Sequence, residues 1–410
     1  MAKPLPDPAK AQPPAPVAQA PAHGTQGGPA RADGRARPQT QLRPARERST
    51  GDPDLDQRLE QLLDQLKVSS NRDQIWELLV SVARLASGDP DRLDLKIANA
   101  ALREMQEGFE VFAPYRALRK VTMFGSARTL PTDPLYAQAR ELASCLSQRG
   151  WSTVTGAGPG IMAAGLEGAG PEHSFGINIR LPFEQEPNQF ISSDPKLVSM
   201  KYFFTRKLLL VKESHGYAVL PGGFGTLDES FELLTLLQTG KAQPSPVVLL
   251  EVPSDSYWQA WERFLTTEVV PRDLISPDDR TLYLITDDVA EAASELVGFY
   301  RNYHSLRWVG DRLVVRLLSR PTTAEVAALS EEFAGICTQG GIELLPGPLP
   351  AEAREGDHLE LPRVALSFDR ISYARLRQLI DALNALPSAP PPPTDLPVPP
   401  SQRARLQQRY

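Results

Sequence analysis

Leu220-Pro221-Gly222-Gly223-Phe224-Gly225-Thr226-Leu227-Asp228-Glu229 decides the fold of this chain. Upstream, His215-Gly216-Tyr217-Ala218-Val219-Leu220 is short and apolar, as a buried strand is; downstream, Ser230 to Gln238 carries apolar residues at helical spacing. The stretch reads as strand, glycine turn, helix. Three glycines let a backbone approach a ligand without an intervening Cβ, and a helix start offers unpaired N–H groups and the positive end of a dipole. Gly222, Gly223, Gly225 and Thr226 therefore form a candidate phosphate cradle, with Asp228 and Glu229 expected in the first helical turn, capping the helix or facing a ligand. Alone, an ordinary strand-to-helix turn with an acidic start explains the same residues.

The surrounding sequence tips that choice. From Lys120 onward short apolar runs alternate with helical periods, the pattern of βαβ units and a parallel sheet. Strands are expected at 120–124, 151–155, 174–180, 215–220, 245–251 and 281–286, with helices at about 134–149, 159–169, 199–213, 224–239, 256–268 and 288–301. In such a sheet ligands bind beyond the carboxyl ends of the strands. Two further glycine-bearing loops belong there. Phe124-Gly125-Ser126-Ala127-Arg128 sets a hydroxyl and a guanidinium after a turn glycine, a candidate anion contact through Gly125 and Ser126. Thr155-Gly156-Ala157-Gly158-Pro159-Gly160-Ile161-Met162 superficially matches a dinucleotide fingerprint, but Ile161 occupies the third glycine position and no acidic residue ends the next strand. Nicotinamide and flavin use are not implied. The expected helix 199–213 is apolar and carries Arg206 and Lys207, two charges that are costly to bury unless paired or ligand-bound. On residue type alone, Lys207 is expected to reach solvent and Arg206 to bridge to a carboxylate.

Of the 39 prolines, 11 lie in residues 1–53 and 8 in residues 387–410, so both tails are expected to be disordered. With eight Lys/Arg against four Asp/Glu in the first tail and three against one in the second, the tails are basic and the body between them carries −12. That argues against a specific nucleic-acid surface on the folded part. No apolar segment suggests a membrane span or secretory signal, so a cytoplasmic protein is expected. Cys145, Cys337 and the five histidines lack ligand spacing, and neither a metal site nor a disulfide framework is implied. Leucine stripes give residues 54–118 as a helical extension packed on the domain that follows.

The motifs F-G-S-A-R (124–128), G-A-G-P-G-I-M (156–162), F-F-x-R-K (203–207) and P-G-G-F-G-T-L-D-E (221–229), in that order, resemble the Lonely Guy (LOG) family, cytokinin riboside 5′-monophosphate phosphoribohydrolases, in its longer bacterial type. The resemblance spans about residues 119–300. It implies an α/β fold, a doubly wound Rossmann-like parallel sheet over 119–302, and a homodimer or higher homo-oligomer. It also implies a catalytic pair, Arg206 and Glu229, with Lys207 and Asp228 supporting. The substrate is then a nucleoside 5′-monophosphate such as AMP or a cytokinin riboside monophosphate, cleaved to free base and ribose 5-phosphate without a cofactor. Gly158 and Gly160 join Gly125, Ser126, Gly222, Gly223, Gly225 and Thr226 as nucleotide-binding positions. Family members were long labelled lysine decarboxylases, but Lys207 beside an arginine makes a poor Schiff-base lysine. Where longer relatives carry Glu-Ala-Ala-Asn, this chain has Ala163-Ala164-Gly165-Leu166, so Ala163 and Leu166 are positions that bear on substrate choice. The alternative is a non-catalytic nucleotide-binding or molybdenum-cofactor carrier protein, which has no need of both Arg206 and Glu229.

After residue 302 the sequence changes character. Strand material at 306–318 with a turn at Gly310-Asp311, a helix at 322–336, strands near 341–345 and 362–369 and a helix at 372–386 suggest a small α+β domain over 303–386, a βαββα sandwich.

Overall fold

The computed structural model describes residues 49–180, 186–253 and 255–393; the expected tails at 1–53 and 387–410 lie mostly outside them. The chain divides into two units between Pro90 and Asp91. In the first, helices α1 (Pro53–Gln65) and α2 (Arg72–Ser87) pack as a pair, α1 opening on an Asp52 cap that accepts from the amides of Asp54 and Leu55. Such a cap is worth about 1 kcal/mol.

The second unit opens with α3 (Arg92–Phe112), whose inner face is Ala101, Glu104, Gly108 and Phe112. The chain then alternates strand and helix, except that β4 follows β3 directly: β1 (Lys120–Phe124), α4 (Pro134–Ser147), β2 (Ser152–Thr155), α5 (Ile161–Ala169), β3 (Ser174–Ile179), β4 (Leu197–Met200), α6 (Phe203–Lys212), β5 (Gly216–Val219), α7 (Phe224–Gln238), β6 (Val247–Leu250), α8 (Tyr257–Phe264), β7 (Leu284–Thr286) and α9 (Val289–Gly298). All seven strands are parallel, in the order β4-β3-β2-β1-β5-β6-β7. The sheet is doubly wound. One apolar layer joins α4, α5 and α9 to the sheet, and the other joins α3, α6, α7 and α8 to its opposite face. The strand order reverses at β1 and β5, whose following helices leave on opposite faces, so a crevice opens where the loops after these two strands part.

Two expected elements differ. The helix read at 199–213 begins at Phe203, because Leu197–Met200 pairs with β3 as an edge strand; alternating Leu197, Val198, Ser199 and Met200 is strand chemistry that the following apolar run masked. The strand expected from 281 begins at Leu284. Ahead of it Ser276, in a capping box with Asp279, starts a 3-10 turn at Pro277–Leu282.

The small α+β domain is a four-stranded antiparallel sheet in the order β10-β11-β9-β8, built from β8 (Tyr303–Val309), β9 (Arg312–Leu317), β10 (Glu343–Leu344) and β11 (Arg363–Leu366), with α10 (Thr323–Glu332), α11 (Pro350–Glu355) and α12 (Tyr373–Ala385). It is not βαββα. Gly310, at φ +61°, folds the first run into a β8–β9 hairpin, and α11 intervenes before β11. A buried ion cluster ties it: Glu352, fully buried, accepts from Arg316 Nη2 at 2.9 Å and faces Arg363 Nη1 at 2.9 Å. Among the described residues no helix is long and apolar enough to cross a membrane. Removing one charge from this cluster leaves two buried guanidiniums short of an anion, so Glu352→Gln is expected to cost about 3–5 kcal/mol; chemical denaturation followed by a small-domain probe such as Trp308 fluorescence measures it.

Candidate functional site

The three glycine-bearing loops meet at the carboxyl ends of β1, β2 and β5, laced through one residue. Ser126 donates its N–H to the Pro221 carbonyl at 3.2 Å and accepts from the Ile161 amide at 3.0 Å, while its Oγ accepts from the Arg128 amide at 3.1 Å. Close approach is what demands glycine here. A Cβ on Gly160, at φ +66°, would lie 2.2 Å from the Ser126 carbonyl oxygen, and one on Gly222 would lie 2.2 Å from Thr226 Oγ1. Gly125 and Gly158 are held similarly by the side chains of Ile161 and Met162. Gly223 and Gly225 differ: nothing lies within 4 Å of a Cβ built on either, so their faces open outward at the start of α7. The first amides of that helix have no intrahelical acceptor and present a positive dipole end.

Phe224 is the first residue of α7, so Asp228 and Glu229 stand in its second turn, not its first, and neither caps the helix. They face Lys207 instead. Its Nζ lies 2.7 Å from Asp228 Oδ2, 2.6 Å from Glu232 Oε2 and 3.7 Å from Glu229 Oε2. Lys207 is thus not a solvent-seeking lysine: its side chain is 13% exposed, and the three carboxylates raise its pKa despite the opposing effect of burial. The sequence could not show this, because three acids spaced over five residues on one helix meet the lysine only when α6 and α7 lie side by side.

Arg206 occupies the other side of α6. Its Nε donates to the Ile177 carbonyl at 2.9 Å and its Nη2 to the Gly156 carbonyl at 3.4 Å, so the guanidinium lies across the ends of β2 and β3. Glu229 is 11% exposed; burial pushes its carboxyl above the ordinary glutamate range, while the Lys207 and Arg206 charges oppose that shift. The arrangement is a half-buried carboxylate under the influence of two cations, on a helix whose glycine-rich start is open. It can hold an anion, and it can offer a base of raised pKa next to it.

Ala163 and Leu166 belong to the core. Both are buried on α5, Ala163 in the layer under the sheet and Leu166 against Ala157 and Ile191, so a small and an apolar residue there fill core volume. Two contributors carried no motif signal. Tyr257 donates its hydroxyl to the Gly222 carbonyl at 2.7 Å, fixing the turn from the start of α8. Asn188 donates from Nδ2 to the Gly158 carbonyl at 2.9 Å and from its backbone to Ala157.

Comparison with known proteins accords with the motif reading. Residues 160–296 match a family described as "possible lysine decarboxylase". The pyrimidine/purine nucleotide 5′-monophosphate nucleosidase of Escherichia coli K12 is 30% identical over 172 residues, covering 39% of this chain, which spans 37% of that relative's length. A probable cytokinin riboside 5′-monophosphate phosphoribohydrolase of Oryza sativa subsp. japonica is 25% identical over 53% of this chain and 82% of its own. Among solved structures, the molybdenum cofactor carrier protein of Chlamydomonas reinhardtii aligns at 22% identity and a TM-score of 0.31, over 43% of this chain and 94% of that one. By sequence, the likeness rests on the family match over residues 160–296 and on the two nucleotide-cleaving relatives.

The loop geometry separates two kinds of glycine. Gly160→Ala combines a backbone conformation foreign to alanine with a carbonyl clash and is expected to cost about 2–4 kcal/mol, whereas Gly223→Ala, built into open space, should leave the thermal midpoint within ~2 °C. Paired calorimetric melts of the two variants check the contrast.

Proposed function

From this likeness and the crevice at β1 and β5, we propose that the chain is a nucleoside 5′-monophosphate phosphoribohydrolase, cleaving the N-glycosidic bond to give a free base and ribose 5-phosphate. The observation that carries the reading is Glu229: a half-buried carboxylate of raised pKa, 3.7 Å from Lys207 and within the field of Arg206, in the second turn of a helix with a glycine-rich start. The names of the relatives support it, since both are nucleotide-cleaving enzymes by name.

The chemistry follows from the bond. Departure of the base leaves an oxocarbenium-like ribose, which a nearby carboxylate stabilises while water adds at C1′. In this reading Glu229 takes the proton of that water and supplies the negative charge beside the sugar. The 5′-phosphate lies on the amides of Gly223, Gly225 and Thr226 at the start of α7, with Gly222, Gly125, Ser126, Gly158 and Gly160 shaping the cradle. Arg206 orients Glu229 or meets the phosphate as a planar two-pronged donor, and Lys207 keeps Asp228, Glu229 and Glu232 from repelling one another. AMP and cytokinin riboside monophosphates are the substrates proposed, in a cytoplasmic setting. Residues 119–302 are the catalytic domain in this proposal, with the helical 54–118 and the α+β 303–386 as appended parts. Assembly as a homodimer or higher homo-oligomer is part of the reading too: Phe203, Phe204, Leu208, Phe224 and Phe231 are exposed on α6 and α7, an apolar surface of the kind that partners cover.

Glu229→Gln keeps size and hydrogen bonding but loses basicity, so turnover is expected to fall by at least ~10²-fold while AMP affinity changes little; Arg206→Lys should also lower turnover. The assay is release of base and ribose 5-phosphate from a panel of purine and pyrimidine monophosphates, alongside calorimetric binding. Tight AMP binding by wild type with no base released from any of them would leave a nucleotide carrier, not an enzyme.

The pH profile gives a separate check. A base must be ionised, so activity falls as pH drops through the Glu229 pKa, which burial sets above the ordinary glutamate range. Lys207 opposes that rise, so Lys207→Met is expected to move the acid limb of kcat/KM to higher pH. An acid limb that stays put in this variant would separate Glu229 from the rate.

A further inference from the structure

Helix α6 brings Arg206 and Lys207 to the site, yet its own sequence supplies no side-chain cap: Tyr202 stands at the N-cap position without a capping hydrogen bond. The cap comes from another helix. Glu104 of α3, 1% exposed, accepts from the Lys201 amide at 2.8 Å, from the Tyr202 amide at 3.4 Å and from Thr205 Oγ1 at 2.6 Å, with Arg180 Nη2 at 4.0 Å as the nearest cation. Lys201 and Tyr202 are the whole connection between β4 and α6, and Thr205 immediately precedes Arg206. One carboxylate therefore holds both joint amides and the first turn of the helix, with its charge at the positive dipole end.

The rest of α3 is fitted to the same task. Gly108, one turn further along the same face, lies so close to α6 that a Cβ there would meet Leu209 Cδ1 at 2.1 Å, and Phe112 continues into the core under the sheet. Both Glu104 and Gly108 lie outside residues 160–296, where the family match falls.

We propose that Glu104 is a positioning residue for the site: by capping α6 from outside it fixes the first turn, and with it the direction in which Arg206 reaches across Gly156 and Ile177 and Lys207 reaches Asp228 and Glu232. The catalytic consequence rests on the nucleosidase reading; the capping role does not. Removing this buried carboxylate takes the side-chain acceptor from the Lys201 and Tyr202 amides and leaves Thr205 Oγ1 only its bond to the Tyr202 carbonyl at 2.9 Å, so the joint loosens just ahead of Arg206. Displacements of about 1 Å at such a point cost up to ~10²-fold in rate.

The test uses the full chain with Glu104→Ala, Glu104→Gln and Thr205→Val, read by base release from AMP and by amide hydrogen exchange. For Glu104→Ala the expected result is kcat lower by at least ~10-fold with KM held within ~3-fold, and exchange of residues 201–206 faster by ~10-fold with α8 and α12 unchanged. Glu104→Gln, which keeps an acceptor for Lys201 and can donate to Thr205, restores both. Should Glu104→Ala not fold, Thr205→Val carries the test, with the same changes expected at smaller size. Wild-type exchange at 201–206 in the Ala variant, or in Thr205→Val where Ala does not fold, overturns the proposal. So does a loss of kcat accompanied by uniform acceleration of exchange across the chain, the mark of a merely structural role. If wild type releases no base, the nucleosidase reading fails and the exchange pattern alone decides for or against Glu104.

Discussion

Two cations on the half-buried faces of one helix are the constraint on which this site depends. An apolar α6 packs well under the sheet, but Arg206 and Lys207 cannot be carried in without partners, since burying an unpaired charge costs several kcal/mol. The fold answers in two ways. Lys207 meets Asp228, Glu229 and Glu232 from α7, and Arg206 spends donors on the carbonyl ends of β2 and β3. The first requires α7 to face α6 and the second requires α6 to lie against β2 and β3, so the electrostatics of the site and the placement of the helices are one requirement. Glu229 is placed by that requirement: buried enough for its pKa to rise, close enough to the cations for the rise to be opposed.

The loops obey a second, steric requirement. Ser126 bonds to both neighbouring turns, and the backbones come so near that Gly160 and Gly222 have no room for a side chain, while Gly223 and Gly225 face open space. Glycine thus serves two ends in one crevice, tight packing between loops and an uncovered amide surface at the helix start. Tyr257 adds rigidity by holding the Gly222 carbonyl, a contact from the first residue of α8, which carries no recognisable motif.

Charge also shapes the appended domain. Its sheet buries Glu352 between Arg316 and Arg363, with Arg307, Glu355 and Asp357 at the margin, so three acids are balanced by three arginines and the cluster adds nothing to the net negative charge of the body. Helix α12 of this domain presses Tyr373 against Gly240, just beyond the end of α7, where a Cβ would meet the phenol ring at 1.9 Å. The helix that begins at the glycine turn therefore ends against the small domain.

What the sequence by itself determined is local: strand, glycine turn and helix at 215–238, the βαβ alternation from Lys120, the α+β character of residues 303–386, and the residues that crowd the crevice. Periodicity, glycine placement and motif order are written into neighbouring residues, so they can be read without coordinates. Tertiary structure alone decided who partners whom. Residues 197–200 became a strand because β3 offered an open edge. Lys207 turned inward because three acids from another helix awaited it, Ala163 and Leu166 faced the core, and Glu104 found its donors about 100 positions downstream. Pairing energies of this kind depend on distance in space and on burial, and neither is a property of any single stretch of chain.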